Sequence, residues 1–166
     1  DPELTTYLEG YAANSSDVRL FQQKFKNHFG EWKNLLTDFC KNNFVFQIDA
    51  DEVPHKDLIE TLPLLLEQNK DVEVLLVPRV NTVAGLTNEH IAKWNWKVNE
   101  KSWVNWPDYQ WRIYKNTIDI RWINKVHERL YGFKKYATLP MEEEYALYHP
   151  KHIDRQVKQN EYYETL

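Results

Sequence analysis

The sequence changes from apolar to acidic within one short stretch, FVFQIDADE at residues 44–52. Its first five residues are almost continuously apolar, aromatic or β-branched, which is typical of a strand buried on both faces of a parallel sheet. In an open α/β sheet, ligands bind beyond the carboxyl ends of the strands. The carboxylates of Asp49, Asp51 and Glu52 are therefore predicted to stand where such a sheet carries its functional groups.

Periodic apolar residues on both sides of this stretch predict helices next to it. Apolar side chains recur at spacings of three and four over Glu31–Lys41 and over Lys56–Gln68, which is the period of an amphipathic helix. The apolar run at 72–80 predicts the next strand. Strands that alternate with helices in this way predict an α/β layer structure with right-handed crossovers.

Beyond this central unit, the pattern predicts helices at both ends of the chain and short strands in its second half. The terminal helices are expected at Asp1–Ser16 and Ile153–Tyr163. The remaining strands are expected at 18–22, 94–96, 110–114, 118–122 and 125–130. Since no repeat or flexible linker interrupts the 166 residues, we expect one domain over residues 1–166.

Composition limits the partners and the location. A net charge of −4 lacks the basic excess that a nucleic-acid surface needs, so nucleic acid is not an expected partner. Cys40 is the single cysteine and cannot form an internal disulfide, which favours a reducing cytoplasm. No apolar run approaches the roughly 20 residues of a transmembrane helix, although work at a membrane surface remains compatible with the sequence.

Tryptophan is unusually frequent, and six of the seven residues fall between positions 94 and 122. These six are Trp94, Trp96, Trp103, Trp106, Trp111 and Trp122. Large aromatic side chains serve cores and loop anchors more often than binding sites. The interpretation as structural anchors is therefore favoured for any one of them, with stacking against sugars as the alternative.

The acidic cluster itself points to a cation. Three carboxylates within four residues repel one another unless a cation or hydrogen-bond donors compensate them. Such hard oxygen ligands suit Mg²⁺ or Mn²⁺. A solvated turn is the alternative, because Asp is common in turns. The position at the end of a buried strand favours a metal or catalytic site.

The segment Phe46–Glu52 resembles the D-x-D segment of family 2 glycosyltransferases of the bacterial and viral type. The likeness continues in the same order, with Lys33-Asn34 before the strand and the segments 77–79, 106–112, 125–128 and 146–149 after it. The resemblance implies the GT-A fold, a Rossmann-like three-layer α/β/α structure with a central mixed sheet. It also implies metal-dependent transfer, with inversion, from a nucleotide-sugar donor to a glycan or lipid-linked acceptor, as in polysaccharide biosynthesis.

The resemblance also implies roles for particular residues. Asp51 would be the more direct ligand of Mn²⁺ or Mg²⁺, Asp49 would contact the ribose or reach the metal through water, and His149 would complete the metal site, with His152 as its rival. Glu128 would take the proton of the acceptor hydroxyl, a contribution of typically about 10²- to 10⁴-fold. The residues implied to orient donor or acceptor are Arg79, Asp108, Gln110, Arg112 and His127. For the first four, a structural ion pair is the alternative. For residues 126–130, which include His127 and Glu128, the alternative is a plain exposed strand.

Two departures from the family pattern affect these expectations. The family begins with a strand and helix that contact the nucleotide base, and this chain has no counterpart of them, which implies an N-terminally incomplete catalytic domain or a short divergent member. The family's usual base is the Asp of an Glu-Asp pair, whereas here Glu128 takes the corresponding place.

Two other classes of protein remain open. The residues 49–53 also fit the D-x-D-x-[TV] loop of haloacid-dehalogenase-type phosphatases, in which the first Asp, here Asp49, forms a phospho-enzyme. In a non-catalytic carbohydrate-binding protein, the tryptophan cluster would stack on sugars and the acidic residues would be structural.

Overall fold

The protein is described over residues 1–165 by a computed structural model, as five α-helices and nine strands. In chain order these are α1 Pro2–Ala13, α2 Phe29–Phe39, β1 Phe44–Phe46, β2 Val53–Pro54, α3 Lys56–Gln68, β3 Val74–Val77, β4 Arg79–Ala84, α4 Asn88–Trp94, β5 Gln110–Lys115, β6 Arg121–Ile123, β7 Arg129–Tyr131, β8 Tyr136–Thr138, β9 Leu147–His152 and α5 Ile153–Glu164. A 3₁₀ turn covers Glu143–Tyr145.

The strands form two mixed sheets and a hairpin. The first sheet has the order β1-β5-β3-β8, with β3 and β8 parallel and the other neighbours antiparallel. The second has the order β2-β9-β4, with β4 and β9 parallel. Only Pro78 separates β3 from β4, so one extended segment passes from the first sheet into the second. The predicted α/β class is confirmed in this form, a mixed α/β structure with mixed sheets.

The core lies on both faces of β3, whose four residues are all buried. On one face Leu75 and Val77 join the cluster around Leu58 of α3, and on the other Val74 and Leu76 join the cluster around Tyr114. Helix α3 spans the predicted residues, and its first turn is capped by His55, whose Nδ1 accepts a hydrogen bond from the Asp57 amide. The apolar stripe of α3 thereby covers the sheet next to the acidic cluster.

Helix α2 is bound tightly to strand β6. The Asn34 side chain donates to the Trp122 carbonyl and accepts from the Trp122 amide, both at 2.9 Å. At the start of the helix, a Cβ on Gly30 would lie 2.8 Å from the Asn124 carbonyl oxygen, so only glycine permits this approach. The result is that Lys33, one residue before Asn34, is held close to the loop that follows β6.

Strand β1 differs from its prediction. It is an edge strand of the first sheet and runs antiparallel to β5, not parallel within the sheet. Val45 packs into the cluster of Tyr114, whereas Phe44 and Phe46 pack against the cluster of Leu58. The apolar run therefore indicated correctly that both faces are covered, but residue pattern carries no information about the direction of the neighbouring strand.

Four other predicted strands also need correction. Of residues 118–122, only Arg121 and Trp122 belong to a strand, β6. Residues 18–22 form no strand, and Phe21 instead stacks on Phe39 with ring centroids 3.6 Å apart. Trp94 ends helix α4 and Asn95 adopts a left-handed conformation, so 94–96 is a helix end. Within 125–130, only the last two residues belong to β7. In these places aromatic and β-branched side chains pack from loops and helix ends. Strand propensity alone does not distinguish this packing from that of a sheet.

No helix within residues 1–165 is long and apolar enough to cross a membrane.

Candidate functional site

A cavity of about 410 Å³ opens where β4, β5, β9 and the loop after β1 present polar side chains. All nine residues to which the sequence assigns a catalytic, metal or substrate role line this cavity. They are Asp49, Asp51, Arg79, Asp108, Gln110, Arg112, His127, Glu128 and His149. Side chains separated by up to 100 positions in the sequence therefore share one space.

Glu52 lies beneath the cavity and connects the strands around it. Its side chain is 0% exposed and accepts hydrogen bonds from Arg112 Nε at 2.9 Å, Arg112 Nη2 at 2.6 Å and Arg79 Nη1 at 3.0 Å. It also accepts from the Asp49 amide at 3.2 Å. Burial alone would raise the pKa of Glu52, but the charges and hydrogen bonds of Arg112 and Arg79 lower it below its ordinary value. An ionised Glu52 thus holds the acidic loop in place.

Both predicted arginines are committed to carboxylates of the protein. Arg112 is 3% exposed and, besides Glu52, donates from Nη2 to Asp49 Oδ2 at 2.6 Å. Arg79 donates from Nε and Nη2 to Asp108 Oδ2, at 3.0 and 2.7 Å. In this arrangement the two guanidinium groups position carboxylates, whereas the resemblance implied that they orient donor or acceptor.

Asp108 is the centre of a second cluster on the cavity wall. Besides Arg79, its Oδ2 accepts from Asn81 Nδ2 at 2.7 Å, and its Oδ1 accepts from Gln110 Nε2 at 3.0 Å. Gln110 also donates to the Asp108 backbone carbonyl. The side chains of Asp108 and Gln110 thereby hold each other in position, and both line the cavity.

Asp51 and His149 face each other across the cavity. Asp51 Oδ2 lies 3.5 Å from His149 Nε2, and His149 Nδ1 lies 2.8 Å from the side-chain oxygen of Asn81. Because an amide oxygen only accepts, Nδ1 donates to Asn81, and Nε2 is the ring nitrogen that faces Asp51. The hydrogen bond with His149 holds the pKa of Asp51 well below its usual range; partial burial opposes this, and electrostatic attraction to His149 and Arg155 adds to it.

This pair fits a divalent cation only if other ligands come from a bound molecule. One carboxylate and one imidazole, 3.5 Å apart, can contact the same ion at ordinary ligand distances. Within residues 1–165, no group of three or more His, Cys, Asp or Glu side chains is placed to hold a metal ion. Mg²⁺ and similar ions often complete such sparse protein sites with substrate phosphates and water. Asp51 and His149 would hold the cation, and Asp49 lies beside them.

His152, the rival of His149, serves a local role. Its Nδ1 accepts from the Asp154 amide at 3.4 Å and caps helix α5. Of the two histidines, it is His149 that lies at Asp51.

Glu128 projects into the cavity from the loop before β7. Its Oε1 lies 2.6 Å from Lys33 Nζ, which is itself 3.6 Å from Asp49 Oδ1 and 4.5 Å from the centre of the Trp122 ring. Burial opposes ionisation of Glu128, but the charge of Lys33 and its hydrogen bond lower the pKa of Glu128 below the ordinary value. An ionised carboxylate in a cavity can accept a proton. The neighbouring His127 is exposed, with its ring against Tyr163 at 5.8 Å.

Several residues of the cavity wall were not assigned a role from the sequence, among them Lys33, Asn81 and Lys151. Arg155, also unassigned, lines an adjoining cavity of about 640 Å³, which shares Asp49, Asp51 and Glu128 with this one. Asn81 had a usable signal, since it stands two residues after Arg79 on a strand and must share its face. Arg155 had none, because only the packing of α5 brings it to Asp51.

The tryptophans act mainly as packing groups. Their rings contact other aromatic rings at separate places: Trp94 with Trp96, Trp103 with Trp106, Trp111 with Phe133, and Trp122 with Tyr114. Three of them, Trp96, Trp111 and Trp122, also contribute to the cavity wall.

A comparison with models of known protein families finds none that matches the chain, and a search of curated proteins finds no significant match.

Proposed function

We propose that the chain is a metal-dependent glycosyltransferase of the GT-A type, which moves a sugar from a nucleotide-sugar donor to a glycan or lipid-linked acceptor with inversion. One observation carries the proposal. The Asp51–His149 pair and the ionised Glu128 line the same cavity, which gives one space both a cation site and a proton acceptor.

In this mechanism, the acceptor hydroxyl attacks the anomeric carbon of the donor and its proton passes to Glu128. The bond between the anomeric carbon and the diphosphate oxygen breaks, and the nucleoside diphosphate leaves with the electron pair. A divalent cation, Mn²⁺ or Mg²⁺, would when bound neutralise the negative charge of the leaving diphosphate. Asp51 and His149 would hold this cation, Asp49 would contact the donor nearby, and Lys33 orients Glu128.

The geometry favours transfer over a phosphatase that uses Asp49 as nucleophile. Asp49 Oδ2 accepts the 2.6 Å hydrogen bond from Arg112, and its Oδ1 faces Lys33. A carboxylate held by two cations is a poor nucleophile, because attack requires it to give up both interactions. The geometry also argues against a non-catalytic carbohydrate-binding protein, because Trp94 packs on Trp96 and Trp103 on Trp106, so that these rings are paired with one another.

Calorimetry with a panel of nucleoside diphosphates, with and without Mn²⁺, tests the proposal. We expect Mn²⁺-dependent binding of at least one nucleotide by the unaltered protein and its loss in Asp51→Ala. Asp17→Ala, which removes an exposed carboxylate from a surface turn, serves as the control and should bind normally. Metal-dependent binding that survives in Asp51→Ala, or a folded protein that binds no nucleotide in the panel, would contradict the proposal. Phosphate release from a generic phosphomonoester would support the phosphatase instead.

A further inference from the structure

Positive charge is concentrated at the end of the cavity where Asp51 lies. Arg155 Nη2 lies 3.0 Å from Asp51 Oδ2, and His149 Nε2 lies 3.5 Å from the same oxygen. Lys151 also lines the cavity, and its Nζ donates to the uncharged amide oxygens of Gln159 at 2.7 Å and Gln156 at 3.3 Å. The Asp51 carboxylate thus has Arg155 and the His149 imidazole as direct neighbours, and Lys151 stands on the wall of the same cavity.

The rest of the cavity has the opposite balance. Four carboxylates, those of Asp49, Asp108 and Glu128 on the wall and that of Glu52 beneath it, are paired with three cations, Lys33, Arg79 and Arg112. An anion that enters this cavity is therefore attracted toward Lys151 on its wall and toward Arg155, which lies at Asp51 where the adjoining cavity begins.

Arg155 and a divalent cation compete for Asp51. Both use the same carboxylate oxygen, and two positive charges at such short range repel each other. The Arg155 side chain is 64% exposed and projects from the first turn of α5, so it can leave Asp51 without opening the core. A diphosphate removes the conflict, because its oxygens can bind the cation and accept a bidentate pair of hydrogen bonds from a guanidinium.

We propose that Arg155 is an exchangeable counter-ion of Asp51, which leaves that carboxylate when a divalent cation and a diphosphate bind together and then binds the diphosphate beside Lys151. This inference rests on the proposed function, since the diphosphate is that of the nucleotide-sugar donor. Its consequence is a reciprocal coupling, in which cation and diphosphate each strengthen the binding of the other.

Titration calorimetry of Arg155→Ala tests this with Mn²⁺ alone and with inorganic pyrophosphate at saturating Mn²⁺. Without the Arg155 guanidinium, Mn²⁺ alone no longer competes for Asp51 and should bind more tightly. Pyrophosphate loses a partner and should bind more weakly. Coupling effects of this kind are about tenfold. Arg155→Lys, which keeps the charge but not the paired donors, should fall between the two proteins. Arg129→Ala, which removes an exposed positive charge from β7, should change neither affinity by more than about twofold, the effect of a charge screened by solvent.

Effects of the same sign on both affinities, or no effect on either, would overturn the inference, as would the absence of any binding by folded wild-type and Arg155→Ala proteins. Thermal unfolding of each variant establishes that it is folded. If Arg155→Ala leaves both affinities unchanged while Asp51→Ala loses nucleotide binding, only this inference is contradicted and the proposed function stands. Nucleotide binding that persists in Asp51→Ala contradicts the proposed function.

Discussion

Arg112 binds the carboxylate of Glu52 through two hydrogen bonds, Nε to Oε2 at 2.9 Å and Nη2 to Oε1 at 2.6 Å, with both side chains almost wholly buried. Replacing Arg112 by Met keeps most of the volume but leaves a buried carboxylate with fewer partners. We expect a loss of about 3–5 kcal/mol in the free energy of unfolding, the usual effect of breaking a buried ion pair. Urea unfolding measures it. Lys56→Met, at an exposed pair on α3, should cost less than about 1 kcal/mol, and equal losses in the two variants would contradict the argument.

The lowered pKa of Glu52 predicts an acid-sensitive fold. Since the folded pKa lies below the unfolded one, this carboxylate stabilises the protein fully above the ordinary value of 4.5, and the stabilisation is lost as the pH falls through the lower folded pKa. Urea unfolding at a series of pH values below 7 should show this decline. In Glu52→Gln the protein should be less stable at neutral pH, and its stability should fall less steeply on acidification. A slope identical to that of the wild type would exclude Glu52 as its source.

Tyr114 joins the first sheet to α2 and β6 through its hydroxyl group. This group lies 2.6 Å from Thr37 Oγ1, donates to Gln47 Oε1 at 2.8 Å and accepts from Trp122 Nε1 at 3.1 Å. Tyr114→Phe leaves these buried partners incompletely satisfied, so we expect a loss of about 1–3 kcal/mol in unfolding free energy. Tyr131→Phe, at an exposed position, is the matched control and should be nearly neutral. A Tyr114→Phe variant as stable as the wild type would contradict this role of the hydroxyl group.

Glu128→Gln separates proton acceptance from binding. The amide keeps the shape of the side chain but cannot take a proton, so transfer should fall by about 10²- to 10⁴-fold. Binding of the nucleoside diphosphate with Mn²⁺ should remain, because Asp51 and His149 are unchanged. Rates of sugar transfer and calorimetric affinities of the same preparation provide the measurement. An active Glu128→Gln would assign the proton to another group.

Asn81 should control metal affinity without touching the metal. Its amide accepts from His149 Nδ1 at 2.8 Å and donates to Asp108 at 2.7 Å, which fixes the imidazole toward Asp51. Loss of such a supporting group typically lowers metal affinity by about 10- to 100-fold. We therefore expect Asn81→Ala to weaken the Mn²⁺-dependent binding of nucleotide by that factor, whereas Asn88→Ala at an exposed helix start should not. Calorimetry in Mn²⁺ titrations distinguishes the two results.

Local pattern was sufficient for some elements of the fold. Helix α3 spans the predicted 56–68, because its apolar spacing reports directly which face packs against the sheet. The strand at 44–46 was predicted as buried, but its antiparallel partner β5 lies more than 60 residues away in the chain. The parallel pairing of β9 with β4 is likewise a long-range contact that no local period contains.

In the candidate site, too, some features follow from local sequence and others only from long-range contacts. The sequence by itself determined that Asp49, Asp51 and Glu52 follow a strand, because the apolar run that forms β1 gives way to acidic residues just beyond Phe46. Only the tertiary structure decided their partners. It placed Arg112 on Asp49, His149 and Arg155 on Asp51, and Lys33 on Glu128. The physical reason is that charge pairing depends on distance in space, which packing of separate strands and helices creates, whereas strand and helix formation depends on neighbours in the chain.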